Sequence, residues 1–159
     1  MQAFAGAFNW LATRTRPDLA YYTSLLASSC THHGQWSADL AHKVLWYLRG
    51  SSAQWRMLPA SGCEDDLRVF SDAGFAGAST KSQSGLAIIW GGSLITWRSS
   101  RAALSALSTA EAELCAAALA WEISEGARAL LEELGIRLDP IKLLLDNDAA
   151  LAIAGQGSS

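Results

Sequence analysis

LRVFSDAGFAGASTKSQSGLAIIWGGSLITWRSS, residues 67–100, decides how this chain is read. LRVFSDA (67–73), SGLAIIWGG (84–92) and SLITWRS (93–99) are short runs rich in branched and aromatic residues, bounded by Gly and Ser. That composition predicts three strands. Gly91 and Gly92 supply the tight turn that joins the last two, so the strands are expected to form an antiparallel meander.

Downstream, LSTAEAELCAAALAWEISEGARALLEELG (107–135) carries a helix signal. Ser108 followed three residues later by Glu111 is a capping box, and Gly135 is a terminator. Gly126 is expected to bend or split this helix. The alanines from Ala116 to Ala120 allow close packing on a sheet, and Cys115 is expected to be a small buried hydrophobe. IKLLLD (141–146) is, apart from Lys142, an apolar run ending in a carboxylate, as expected of a parallel strand buried on both faces. NDAALAIA (147–154) predicts a further helix, giving the order β, β, β, α, β, α and an α/β class.

Upstream the character is helical. Pro17 and Asp18 suit the first turn of a helix running to about Ser29. THHG interrupts it, and QWSADLAHKVLWYLRG (35–50) restarts with Trp36, Leu40, Val44, Leu45 and Leu48 on one stripe and Gly50 as a stop. Residues 17–50 are thus expected to form a helical hairpin. QWRML (54–58) predicts a short strand before the linker-like PASGCEDD (59–66), which places a boundary near residue 62. Residues 1–62 hold five basic and two acidic groups, whereas residues 63–159 hold seven basic and thirteen acidic, so the two parts differ in the sign of their charge.

The whole chain of 159 residues has a net charge of -3 and is 50% apolar, which suits a folded core and argues against a freestanding nonspecific nucleic-acid binder. Cys30, Cys63 and Cys115 show no CxxC spacing, so neither a zinc site nor a disulfide framework is indicated. The apolar opening MQAFAGAFNWLAT is followed, not preceded, by Arg14 and Arg16, the wrong order for a secretory signal. No apolar run approaches the roughly 20 residues of a membrane span. An intracellular location, cytoplasmic or nuclear, is expected. His32, His33 and His42 lack metal-ligand spacing, and Trp36, Trp46, Trp90 and Trp121 are expected in the core, whereas Trp97, beside Arg98 and Arg101, keeps the alternative of base stacking.

The chemistry rests on carboxylates. Asp72 and Asp146 stand where strand patterns end, and Glu113 near the start of the long helix, so three distant segments can bring hard oxygen ligands to one point for divalent metal. Taken singly each has a plainer reading: Asp72 as a turn residue, Glu111 and Glu113 as solvated helix residues, Asp146 as a helix cap. Asp148 reads as a helix-start charge.

Four blocks carry a resemblance that spacing alone does not supply. SDAGFAG (71–77), SQSGLAIIWGGSLITWRS (82–99), ALSTAEAELCAAA (106–118) and LLLDNDAALAIA (143–154) resemble, in order, the blocks of the ribonuclease H domain of copia-type retrotransposon Pol polyproteins. TRPDLAYYTSLLAS (15–28) and HKVLWYLRG (42–50) resemble the segment that connects reverse transcriptase to that domain. The resemblance implies a ribonuclease H-like mixed sheet preceded by a connection or tether segment. It also implies hydrolysis of the RNA strand of RNA/DNA hybrids within a reverse transcriptase polyprotein. Asp72, Glu113 and Asp146 match the family's metal-binding catalytic carboxylates, with Mg²⁺ or Mn²⁺ as cofactor in two sites about 4 Å apart. A further family aspartate on a later helix has no match, so the domain is expected to be truncated at its C-terminus. The motif before the glutamate reads STAEAE in place of SSTEAE.

Lys81, Arg98 and Arg101 are the basic groups expected near the site, either holding hybrid phosphates or lying on a solvated face. The implied partners are an RNA/DNA hybrid and an upstream reverse transcriptase domain against which Phe4, Phe8, Trp10 and Leu11 would pack. An inactive ribonuclease H-fold remnant that binds hybrid or serves as a scaffold is the alternative. Neither a YxDD polymerase motif nor a Gly-rich phosphate loop occurs.

Overall fold

The computed structural model describes residues 1–31, 34–53, 66–76, 81–102 and 105–146. Several expectations lie outside the described residues: the boundary near 62, the QWRML strand, the linker, His32, His33, Cys63 and the helix from residue 147. The chain divides into two units, Met1–Met57 and Leu58–Ser159.

The first unit is helical. α1 spans Gln2–Arg14, a short 3-10 turn Pro17–Leu19 leads into α2 (Ala20–Ser29), and α3 spans Gly34–Gly50. Its core is Ala5, Phe8, Ala12, Leu19, Leu26, Leu40, Ala41 and Val44. The expected hairpin is present, yet α1 adds a helix that the sequence signals did not mark. The expected stripe on α3 is corrected. Leu40 and Val44 are buried with Ser37 and Ala41, while Trp36 and Leu45 are exposed; the helix ends at Gly50, as expected. At 100° per residue Ser37, Leu40, Ala41 and Val44 share one face, and Trp36 and Leu45 lie on its two flanks. Trp46, 69% exposed, and Trp121 also leave the expected core. A polar clamp closes the unit: Arg16 donates to Asp18 (Nη2 at 2.7 Å) and to Ser51 Oγ (2.7 Å), and the Tyr47 hydroxyl donates to Asp18 (2.7 Å).

The second unit is a mixed α/β layer. β1 (Leu67–Gly74), β2 (Gln83–Trp90) and β3 (Ser93–Arg101) form the predicted antiparallel meander, α4 (Thr109–Glu133) follows, and β4 (Lys142–Leu144) pairs parallel with β1. The sheet order is β3-β2-β1-β4. Gly91 (φ 53°) and Gly92 (φ 76°) turn β2 into β3 in the left-handed region, as expected of their turn. Ile88 pairs with Thr96 and Ile89 with Leu94, so Ile95 is the extra residue of a bulge.

α4 packs across β1 and β2, and Leu67, Val69, Leu86, Ile88, Ala120 and Leu131 form the core with Leu143 against it. The capping box forms: the Glu111 amide donates to Ser108 Oγ at 3.1 Å, and the Leu107 amide donates to the Glu111 carboxylate at 2.6 Å. Gly135 ends the helix at φ 81°. α4 is not split at Gly126, contrary to expectation; Arg128 pairs with Glu125 (2.6 Å) across that position and with Glu132 (2.9 Å) in the next turn. Cys115 is exposed and not buried, being on the solvent side of an otherwise alanine-lined helix.

β4 is likewise not buried on both faces: Leu143 turns to the core, while Lys142 and Leu144 are exposed at the sheet edge. Alternate residues of a strand point to opposite faces, and of these three Leu143 is the one that meets the core. Asp66, itself buried, ties this edge to β1 by accepting from Arg68 (2.6 Å) and Lys142 (3.4 Å). Its pKa is lowered chiefly by the Arg68 hydrogen bond.

Ile88 is fully buried at the centre of β2. Replacing it with Ala is expected to cost about 2–5 kcal/mol of unfolding free energy in urea denaturation. A loss under about 0.5 kcal/mol, the range of surface substitutions, would contradict this packing.

Candidate metal centre

Each carboxylate is positioned by a different kind of constraint. Asp72 lies two residues before the end of β1, paired with Gly85. The parallel register Phe70↔Leu144, carried two residues further along both chains, brings Asp146 alongside Asp72. Glu113 sits in the second turn of α4 on its buried face, with Ala112, Ala116, Ala117 and Ala120. Those small side chains let the helix approach the sheet closely, so the glutamate reaches β1.

The result is one cluster: an oxygen from each of Asp72, Glu113 and Asp146 lies within 4.8 Å of the other two. Asp72 and Asp146 are exposed, whereas Glu113 is only 8% exposed. Among the described residues, no lysine, arginine or histidine forms an ion pair with any of the three.

That crowding is unfavourable without a cation. Burial pushes the Glu113 pKa above its ordinary value, Asp72 and then Asp146 add to the rise by charge repulsion, and the Ala73 backbone amide opposes it by hydrogen bonding. The α4 N-terminus adds positive potential. All the donors are hard oxygens, the set that Mg²⁺ and Mn²⁺ prefer, so the residues fit a divalent ion of that class.

The basic residues separate. Arg101 pairs with Gln83, which pairs with Gly74, so it shares a sheet face with Asp72 one rung away. Arg98 pairs with Leu86 and thus projects from the opposite face. Lys81 is exposed just before β2. Beneath the carboxylates, Ser71, Ser82 and Ser84 are buried, and the hydroxyls of Ser71 and Ser82 have no hydrogen-bond partner among the described residues. Sequence reasoning passed over this polar seam because serine in a strand pattern reads as outward-facing. Its signal was the strict alternation Ser82, Ser84, Leu86, Ile88.

The unit is therefore a mixed α/β layer carrying a three-carboxylate cluster at the ends of β1 and β4. Two curated proteins contain a stretch similar to this chain. It is 27% identical over 151 residues to the retrovirus-related Pol polyprotein from transposon TNT 1-94 of Nicotiana tabacum, covering 94% of this chain and 11% of that polyprotein. It is 26% identical over 157 residues to the transposon Ty1-NL2 Gag-Pol polyprotein of Saccharomyces cerevisiae, covering 96% of this chain and 9% of that one. The chain thus spans about a tenth of the length of the curated relatives it matches. No family model matches the chain, and no solved structure matches it. Among the described residues, no helix is long and apolar enough to cross a membrane.

The raised Glu113 pKa has a definite sign. The folded, metal-free chain holds this proton more tightly than the unfolded chain, so the stability it contributes is full below the ordinary value of 4.5 and is lost as pH rises through the raised value. In EDTA, Glu113→Gln is expected to gain thermal midpoint over the parent as pH rises from 4.5 towards neutrality. Mg²⁺ is expected to raise the midpoint of the parent more than that of the variant. Scanning fluorimetry showing parallel pH curves and equal Mg²⁺ shifts would contradict the cluster's electrostatics.

Proposed function

We propose that this chain is the ribonuclease H-like part of a copia-type retrotransposon polyprotein and hydrolyses the RNA strand of RNA/DNA hybrids. The observation that carries this reading is the convergence of Asp72, Glu113 and Asp146 from three elements to within 4.8 Å. The similarity to retrotransposon polyproteins over nearly the whole chain supports the context.

Asp72, Glu113 and Asp146 would hold Mg²⁺ or Mn²⁺. When bound, such ions supply Lewis acidity to a phosphodiester and lower the pKa of water. The chain's own part is to fix the ligands. Asp72 is set by the sheet register, Asp146 by the parallel pairing and Glu113 by burial against β1. Because the cluster is acidic, hybrid phosphates are repelled unless cations intervene, which makes binding at the site depend on divalent metal. Arg101 on the same face, with Lys81 at the adjoining loop, supports the phosphate backbone. In a polyprotein, exposed Phe4 and Trp10 on α1 offer apolar surface to a preceding reverse transcriptase domain, whereas Phe8 is committed to the core of its own unit.

Purified chain is expected to cleave a labelled RNA/DNA hybrid with Mg²⁺ or Mn²⁺, to lose the activity in EDTA, and to lose at least about a hundredfold on Asp72→Asn with the fold retained. Hybrid bound but not cut by the parent would select the inactive, hybrid-binding alternative. Equal cleavage by parent and variant would remove the mechanism.

A further inference from the structure

Gly85 lies in the interior of β2, where glycine forfeits backbone entropy and side-chain packing. Two usual reasons for glycine do not apply. Its φ is not in the left-handed region, since among the described residues only Gly91, Gly92 and Gly135 have positive φ. Nor is space lacking: the nearest atom to a Cβ placed there is the Asp72 carbonyl oxygen at 3.9 Å, an ordinary contact. An alanine would fit, and a β-branched residue would suit the strand better.

The register shows what the missing side chain leaves open. Gly85 is paired with Asp72 on one side and Ser99 on the other, so the three share one face of the sheet. The adjoining rung on that face is Gly74, Gln83 and Arg101. Gln83 Nε2 donates to Ser99 Oγ at 2.9 Å, which turns the Ser99 hydroxyl hydrogen elsewhere, as a donor for an anionic oxygen. A gap one side chain wide therefore runs beside the carboxylate cluster, between an aspartate and a hydroxyl donor, with an arginine at its far rung.

We propose that Gly85 is a substrate-contact position: the sugar-phosphate backbone of the strand being cut crosses the sheet over Gly85, between Asp72 and Ser99. A strand interior with no side chain is where another backbone approaches closely, and the pairing of Gly85 with Asp72 puts this rung next to a phosphate held at the cluster. This inference rests on the hybrid-cleaving reading and assigns part of its substrate path.

The test uses the full chain as parent, Gly85→Ala and Gly85→Val. Four quantities are read: thermal midpoint, Mn²⁺ affinity, binding of hybrid in Ca²⁺ by fluorescence anisotropy, and cleavage in Mg²⁺. Gly85→Val is expected to keep or raise the midpoint and keep Mn²⁺ affinity, while hybrid affinity falls about tenfold and cleavage about a hundredfold. Gly85→Ala, which must fold if the geometry is right, is expected to show a smaller loss in the same direction. A valine variant that binds and cleaves as the parent does would overturn the inference and leave the hybrid-cleaving reading standing. A parent that neither binds nor cleaves hybrid would remove that reading and this inference with it.

Discussion

The parallel pairing of β1 with β4 is the constraint from which the rest of the second unit follows. Three register positions, Arg68↔Lys142, Val69↔Leu143 and Phe70↔Leu144, set how far Asp146 stands from Asp72. A slip of one residue would turn Leu143 from the core and carry Asp146 away from the cluster. Two unlike interactions oppose that slip. Leu143 packs into the core around Val69, and the buried Asp66 carboxylate holds Lys142 across the strand boundary. The second is electrostatic and weakens as pH falls through the depressed pKa of Asp66.

Given that register, the helix completes the site. Close approach of α4 depends on Ala112, Ala116, Ala117 and Ala120, and the same approach is what buries Glu113 beside two other carboxylates. Packing that stabilises the layer thus creates an electrostatic conflict at its end, of the kind functional sites retain. A divalent cation held there would resolve the conflict, and affinity for metal and stability of the fold would then be linked.

Much of this was legible in residues 67–146, because the signals there are local. The meander follows from short branched and aromatic runs around Gly91 and Gly92, and α4 is bounded by Ser108, Glu111 and Gly135. What failed to show were properties of context. The apolar run of β4 does not say that the strand lies at an edge, and Cys115 does not announce which side of α4 it takes. Trp36, Trp46 and Trp121 are hydrophobic enough for a core but sit out of phase with the buried face. α1 carries neither a capping residue nor an acidic first turn, so its start was silent. The carboxylates stand at two strand ends and a helix start, and the resemblance assigns them together; no spacing rule joins Asp72 and Asp146 across 74 positions, only the register does.

The most direct measurement is a crystal structure of the chain grown with Mn²⁺, with anomalous scattering used to locate the ion. The account predicts manganese density in contact with carboxylate oxygens of Asp72, Glu113 and Asp146, and its loss in Asp146→Asn crystals grown alike. Manganese absent from that point, with the three side chains placed as described, would contradict the claim that the cluster is a metal centre.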